Sequence, residues 1–87
     1  MRYTVEIDTK AAKEIRDLPQ QEQRRIVAKI QALADTPRPL GCVKLSGSLG
    51  LWRIRAGVYR VVYQVRDERV LVTIVRVAHR REVYRGM

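Results

Sequence analysis

Leu51-Trp52-Arg53-Ile54-Arg55-Ala56-Gly57-Val58-Tyr59-Arg60-Val61-Val62-Tyr63-Gln64-Val65 is the stretch from which the rest of the chain can be read. Apolar and polar residues alternate, break at Ala56-Gly57, and alternate again. That pattern predicts two strands and a tight turn, a β-hairpin. With an even number of residues in the turn, one face carries Trp52, Ile54, Tyr59, Val61, Tyr63 and Val65. The other carries Arg53, Arg55 and Arg60, with Val58 and Val62 among them. A turn centred on Ala56-Gly57 sets Arg53 directly opposite Arg60. Like charges facing each other across a strand pair are destabilising, so stability alone does not select them. Guanidinium groups clustered on a rigid sheet face suit a polyanion, most simply a phosphate backbone. The plainer reading is the solvated open face of an antiparallel sheet. Such a face mixes signs, whereas this one repeats a single sign.

Working outward, Arg2 to Ile7 alternates Tyr3, Val5 and Ile7 against Arg2, Thr4 and Glu6, a half-buried first strand. Asp8 and Thr9 are both suitable N-caps for the helix that follows. Lys10 to Leu18 aligns Ala12, Ile15 and Leu18 on one helical stripe, and Pro19 ends it. Gln20 to Ala34 repeats the helical period with Ile26, Val27, Ile30, Leu33 and Ala34 on its apolar face. Asp35 to Gly41 is a Pro- and Gly-rich loop. Lys44-Leu45-Ser46-Gly47 and the turn Ser48-Leu49-Gly50 lead into the hairpin. Arg66 to Arg69 is a charged turn, and Val70 to Val77 is a last strand, apolar on both faces, as an interior strand would be. The chain closes with a basic segment, Ala78 to Arg85. The order β-α-α-β-β-β predicts one small α+β domain spanning 1–87, a helical hairpin packed on a mainly antiparallel four-stranded sheet.

Eighty-seven residues build one modest core. No apolar run approaches a membrane span, and no signal peptide is evident. Cys42 is the single cysteine, so no disulfide framework is expected and a reducing cytoplasm is the natural setting. Charge is unevenly distributed. Residues 1–37 carry seven basic and six acidic side chains, whereas residues 38–87 carry eleven and three, giving a net charge of +9 overall. The C-terminal half is therefore the electrostatic footprint, and its partner should be nucleic acid or a strongly acidic protein. The charges sit on predicted strands, which argues against a membrane surface as the partner.

The inventory of side chains narrows the chemistry. The second half offers Asp67, Glu68 and Glu82 as its only carboxylates, with one histidine and one cysteine. That is too few for a zinc site or a two-metal nuclease, so neither metal nor cofactor is expected. No serine occupies a strand-to-helix elbow, and Ser46 and Ser48 read as turn formers. Lys44-Leu45-Ser46-Gly47 lacks the spacing of a phosphate-wrapping loop. Metal-free RNA cleavage needs less. The ribose hydroxyl is the nucleophile, and the protein deprotonates it, holds the phosphate in line, neutralises charge and protonates the leaving oxygen. Arginine and lysine serve the charge term. His79 and Tyr84 are the candidate proton-transfer groups, or Tyr84 stacks on a base. A non-catalytic nucleic-acid-binding domain accounts for the same basic face equally well.

Four segments resemble the RelE family of toxin–antitoxin toxins: Lys44-Leu45-Ser46-Gly47, Leu51 to Arg55, Tyr59 to Tyr63, and His79-Arg80-Arg81-Glu82-Val83-Tyr84. The resemblance extends over nearly the whole chain in order and length. It implies a small ribonuclease that enters the ribosomal A site and cuts translated messenger RNA, leaving a cyclic phosphate. It also implies a RelB-like antitoxin as partner. Carried over to this sequence, Lys44, Arg53, Arg55 and Arg81 hold RNA and ribosomal RNA. Arg60 and Arg80 stabilise the charged phosphate, and Tyr84 stacks or transfers a proton beside it. Positions 53 and 55 are arginine where some members of the family have lysine. Arginine does not act as a general base at neutral pH, so the resemblance leaves His79 a larger acid–base share. A ParE-like toxin, which poisons DNA gyrase on a similar fold, is the rival reading.

Overall fold

The computed structural model describes residues 2–45, 47 and 50–84. Its elements are β1 (Thr4–Ile7), α1 (Thr9–Arg16), α2 (Gln20–Ala32), β2 (Val43–Lys44), β3 (Leu51–Ala56), β4 (Tyr59–Arg66) and β5 (Leu71–His79). A single 3₁₀ turn, Asp67–Arg69, joins β4 to β5. The turn expected around Ser46, Ser48 and Leu49 lies outside the described residues, as does Arg85.

The sheet has five strands in the order β1-β5-β4-β3-β2, not four. The additional strand is β2, where Val43 pairs with Arg53 and Lys44 with Trp52. Two residues are too few to leave a periodic signal in the sequence. β1 runs parallel to β5, and the other neighbouring pairs are antiparallel. β5 is thus an interior strand, as its apolar composition predicts.

The two helices cover one face. Asp8 caps α1, its carboxylate accepting the Thr9 amide at 2.8 Å. The end of α1 is met from α2, where the Gln23 side-chain Nε2 donates to Arg16 O at 3.2 Å and to Leu18 O, just beyond the helix, at 2.7 Å. Helix ends leave such carbonyls without internal partners, so this contact closes the helical hairpin across Pro19. Ala11, Ile15, Ile26, Ile30 and Leu33 pack against Ile54, Ala56, Val61, Tyr63, Val65, Val72, Ile74 and Val77. Three expected core positions differ, one of them Ile7 at the end of β1, which is exposed. Val27, one residue off the buried stripe, is exposed, and Ala11 takes the place expected for Ala12. Among the described residues, no helix is long and apolar enough to cross a membrane.

β5 outruns β1, whose pairing stops at Ile7 with Ile74. The exposed edge beyond is covered from α1, where the Glu14 carboxylate accepts the Val77 amide at 2.8 Å and lies 3.6 Å from Arg76 Nε. On the far side of the molecule, Asp67 receives Arg38 at 2.9 and 3.1 Å and the Tyr3 hydroxyl at 2.6 Å. Arg38 also lies 5.2 Å from the Trp52 ring centroid. The Tyr63 hydroxyl donates to Pro37 O at 2.8 Å, so the 35–41 loop is tied down at two points.

Candidate nucleic-acid interface

The sheet face turned away from the helices is arginine-rich, and the strand register shows how it is built. The β3–β4 turn is Gly57-Val58, with Ala56 paired to Tyr59. Gly57 adopts φ +64°, a left-handed geometry that glycine enters without steric cost at the first central position of a tight hairpin turn. The turn expected at Ala56-Gly57 therefore sits one residue later, and the register moves with it. Arg55, not Arg53, stands opposite Arg60, and Arg53 stands opposite Val62. The division of side chains between the two faces is unchanged, because both registers preserve the alternation.

β5 completes the face through a bulge. Val62 pairs with Arg76 and Tyr63 with Ile74, leaving Val75 as the extra residue. The bulge reverses the phase of alternation along β5. Ile74 and Val77, three apart, both reach the core. Arg76 and Ala78 join the open face, opposite Val62 and Arg60. Arg80 continues in the same phase, and its amide extends the ladder by donating to Val58 O at 2.8 Å. Without the bulge, strict alternation from Ile74 would turn Arg80 toward the helices. Two rows result, Arg53–Val62–Arg76 and Arg55–Arg60–Ala78, with Arg80 at the end. Arg76 was not anticipated from sequence, although its spacing from Ala78 and Arg80 is a signal for it.

Electrostatics ties these residues together. Partial burial lowers the pKa of Arg60 from its ordinary value, and the charges of Arg55, Arg53 and Arg80 lower it further. Tyr84 acts in the opposite direction, so its ring also belongs to the surroundings of Arg60. The Arg60 Nη1 group donates to Tyr59 O at 3.0 Å and Gly57 O at 3.2 Å, which holds the guanidinium against the hairpin turn. Arg53 Nε is buried and meets no hydrogen-bond acceptor. None of the four ion pairs found among the described residues involves Arg53, Arg55, Arg60 or Arg80. Val62 is 0% exposed although it lies on the face away from the helices, and it stands apart from the core beneath them. Flanking arginine stems are the groups on this face suited to cover it, keeping their charged heads in water. Arg53, Arg55, Arg60 and Arg80 are therefore guanidinium donors outside these ion pairs, a chemistry suited to phosphate oxygens, whereas Arg76 in the same rows is paired with Glu14.

Tyr84 is 51% exposed, available to a ligand. Arg81 is exposed just beyond the strand end. Lys44 is exposed at the β2 edge, but its pairing with Trp52 assigns it to the helix-side face, away from the arginine rows. His79 is also set apart. It pairs with Tyr59, on the helix side of the sheet, and its ring meets the Tyr59 ring edge-on at 6.0 Å. Among the described residues, no three His, Cys, Asp or Glu side chains converge as metal ligands.

Comparisons with known proteins agree with this architecture. A family profile described as "ParE toxin of type II toxin-antitoxin system, parDE" matches residues 5–84. Toxin RelG of Mycobacterium tuberculosis is 33% identical, the match covering 98% of this chain and 99% of that protein. The mRNA interferase toxin RelE of Escherichia coli is 35% identical, with 97% and 92% covered. Among solved structures, the archaeal RelE–RelB complex of Pyrococcus horikoshii superposes with a TM-score of 0.83 at 30% identity, over 95% of this chain and 100% of that one. The toxin–antitoxin complex RelBE2 of Mycobacterium tuberculosis gives 0.80 at 31% identity, over 91% and 92%.

Proposed function

This chain belongs to the RelE/ParE family of toxins of type II toxin–antitoxin systems, and on that premise we propose that it is a metal-independent ribonuclease that cuts messenger RNA in the ribosomal A site. The observation that carries this reading is the gathering of Arg53, Arg55, Arg80 and Tyr84 around Arg60, with no carboxylate among the groups that act on it.

In the proposed reaction the ribose 2′-oxygen attacks the adjacent phosphorus while the bond to the 5′-oxygen breaks. One proton leaves the 2′-hydroxyl and one reaches the departing oxygen. The products are a 2′,3′-cyclic phosphate and a 5′-hydroxyl. Charge on the phosphoryl oxygens rises along this path, and Arg60 and Arg80 stabilise it in place. Arg60 is prepared for that task, since two backbone carbonyls already fix its orientation. Arg53 and Arg55 hold the flanking backbone, with Lys44 and Arg81 serving ribosomal or message phosphates at the periphery. Tyr84, exposed beside Arg60, stacks on a base or exchanges a proton with the reacting oxygens. Arginine stays protonated at neutral pH, so the arginines bind and neutralise charge but do not abstract protons. The toxin works in the cytoplasm, where its message and ribosomes are, and a RelB-like antitoxin restrains it.

A translation reaction programmed with a defined message, followed by primer extension and end-group analysis, tests this reading. Ribosome-dependent cuts ending in cyclic phosphate are expected. The family profile is described as a ParE toxin, which favours gyrase as the alternative target. An intact message together with blocked DNA supercoiling would establish that alternative.

A further inference from the structure

Arg80 and Tyr84 reach the arginine face from residues 80–84, a segment with turns but no helix or strand. Its backbone is held mostly by one residue. After the Arg80 amide has joined the strand ladder, the next three amides all end on His79. Arg81 N donates to His79 Nδ1 at 3.2 Å. Glu82 N and Val83 N donate to the His79 carbonyl at 2.8 and 3.0 Å. The imidazole is fixed in turn, its ring edge-on to Tyr59 across the strand pair at an interplanar angle of 82°. Val83, which closes the turn, is completely buried and anchors it to the body of the protein.

Nδ1 can accept the Arg81 amide only through its lone pair, which leaves the imidazole proton on Nε2. One ring nitrogen is thus committed to the backbone, and the ring belongs by register to the Tyr59 face. A phosphate held by Arg60 lies on the other face. From this we infer that His79 is a positioning residue, which sets the turn carrying Arg80 and Tyr84, and not the acid or base of the reaction. The inference rests on the cleavage reading above for its functional consequence, but the turn itself can be tested separately.

Three substitutions separate the roles. The Asn side chain places an oxygen where His79 has Nδ1, Gln places one nearer Nε2, and Ala places none. For a positioning role, His79→Asn cleaves ribosome-bound message within about threefold of wild type. His79→Gln and His79→Ala lose about tenfold or more, since a displacement near 1 Å costs up to about 10²-fold. A general acid or base would give a different order, all three losing about 10²-fold or more. Amide hydrogen exchange at Arg81 and Val83 is the second readout and needs no activity. Protection is expected to persist in His79→Asn and to fall in His79→Gln and His79→Ala. His79→Asn as defective as His79→Ala in cleavage would overturn the inference, and so would Arg81 protection that is unchanged in His79→Ala. If the wild-type protein leaves RNA intact, the cleavage reading fails and the exchange pattern still decides what His79 does.

Discussion

Arg55 stands directly opposite Arg60 across the β3–β4 ladder. Two cations in that position repel, and the folded protein retains them on a face where Arg53 and Arg80 add to the same field. Under the proposed function, an anionic ligand would account for them by converting the repulsion into binding energy. The free protein should therefore be less stable than it would be without one of them.

Arg55→Gln tests this directly. Arg55 is exposed, so the substitution leaves the core untouched. It should raise stability at low salt by about 0.2–1 kcal/mol, the usual scale of a cross-strand charge pair. The gain should shrink in about 0.5 M salt, where screening already weakens the repulsion. Affinity for RNA should fall, together with the steepness of its salt dependence. Urea melts at two salt concentrations measure the first effect, and a fall in stability at low salt would contradict it.

Asp67 gives the pH dependence. Hydrogen bonds from Arg38, first, and then from Tyr3 hold its carboxyl below the usual carboxylate range. A depressed folded pKa favours folding above the unfolded value of about 3.9, and the contribution disappears as pH falls through the lower folded value. Wild type and Asp67→Asn should therefore differ in melting temperature at neutral pH, the wild type being higher, and converge in acid. Thermal melts between about pH 2 and 7 check this window. A difference that persists undiminished at the acid end would refute the assignment.

Gly57 sets the hairpin register. Its φ of +64° is left-handed, and a Cβ built there lies 2.7 Å from Arg25 Nη1. The Arg25 tip can move aside, so the cost of Gly57→Ala is chiefly the backbone geometry, about 1–2 kcal/mol. Chemical denaturation should show a lower midpoint with an unchanged slope. Equal stability would mean that the turn does not depend on the glycine.

Much of this was legible in the sequence. Alternation alone divided the hairpin into an arginine face and a core face, and Ile26, Ile30 and Leu33 carried the period that buries α2. Other features were hidden for identifiable reasons. Alternation is blind to a shift of two residues, so the partner of Arg60 depended on which residues form the turn. The Val75 bulge leaves no mark in composition, yet it decides that Arg76, Ala78 and Arg80 share the arginine face. His79 carries acid–base chemistry as a residue type, whereas its surroundings are set by three hydrogen bonds that form only when residues 80–84 fold back.

The central claim, that the face around Arg60 cuts translated message, is tested most directly by single-turnover cleavage of ribosome-bound message by wild type, Arg60→Ala and Tyr84→Phe. Removing one charge-stabilising group should slow Arg60→Ala by about 10²–10³-fold, with ribosome binding largely retained through Arg53 and Arg55. If the hydroxyl transfers a proton, Tyr84→Phe should fall by about 10²-fold or more, whereas a stacking role leaves it near wild type. Wild-type cleavage that persists at full rate in Arg60→Ala would contradict the account and move the site away from the arginine face.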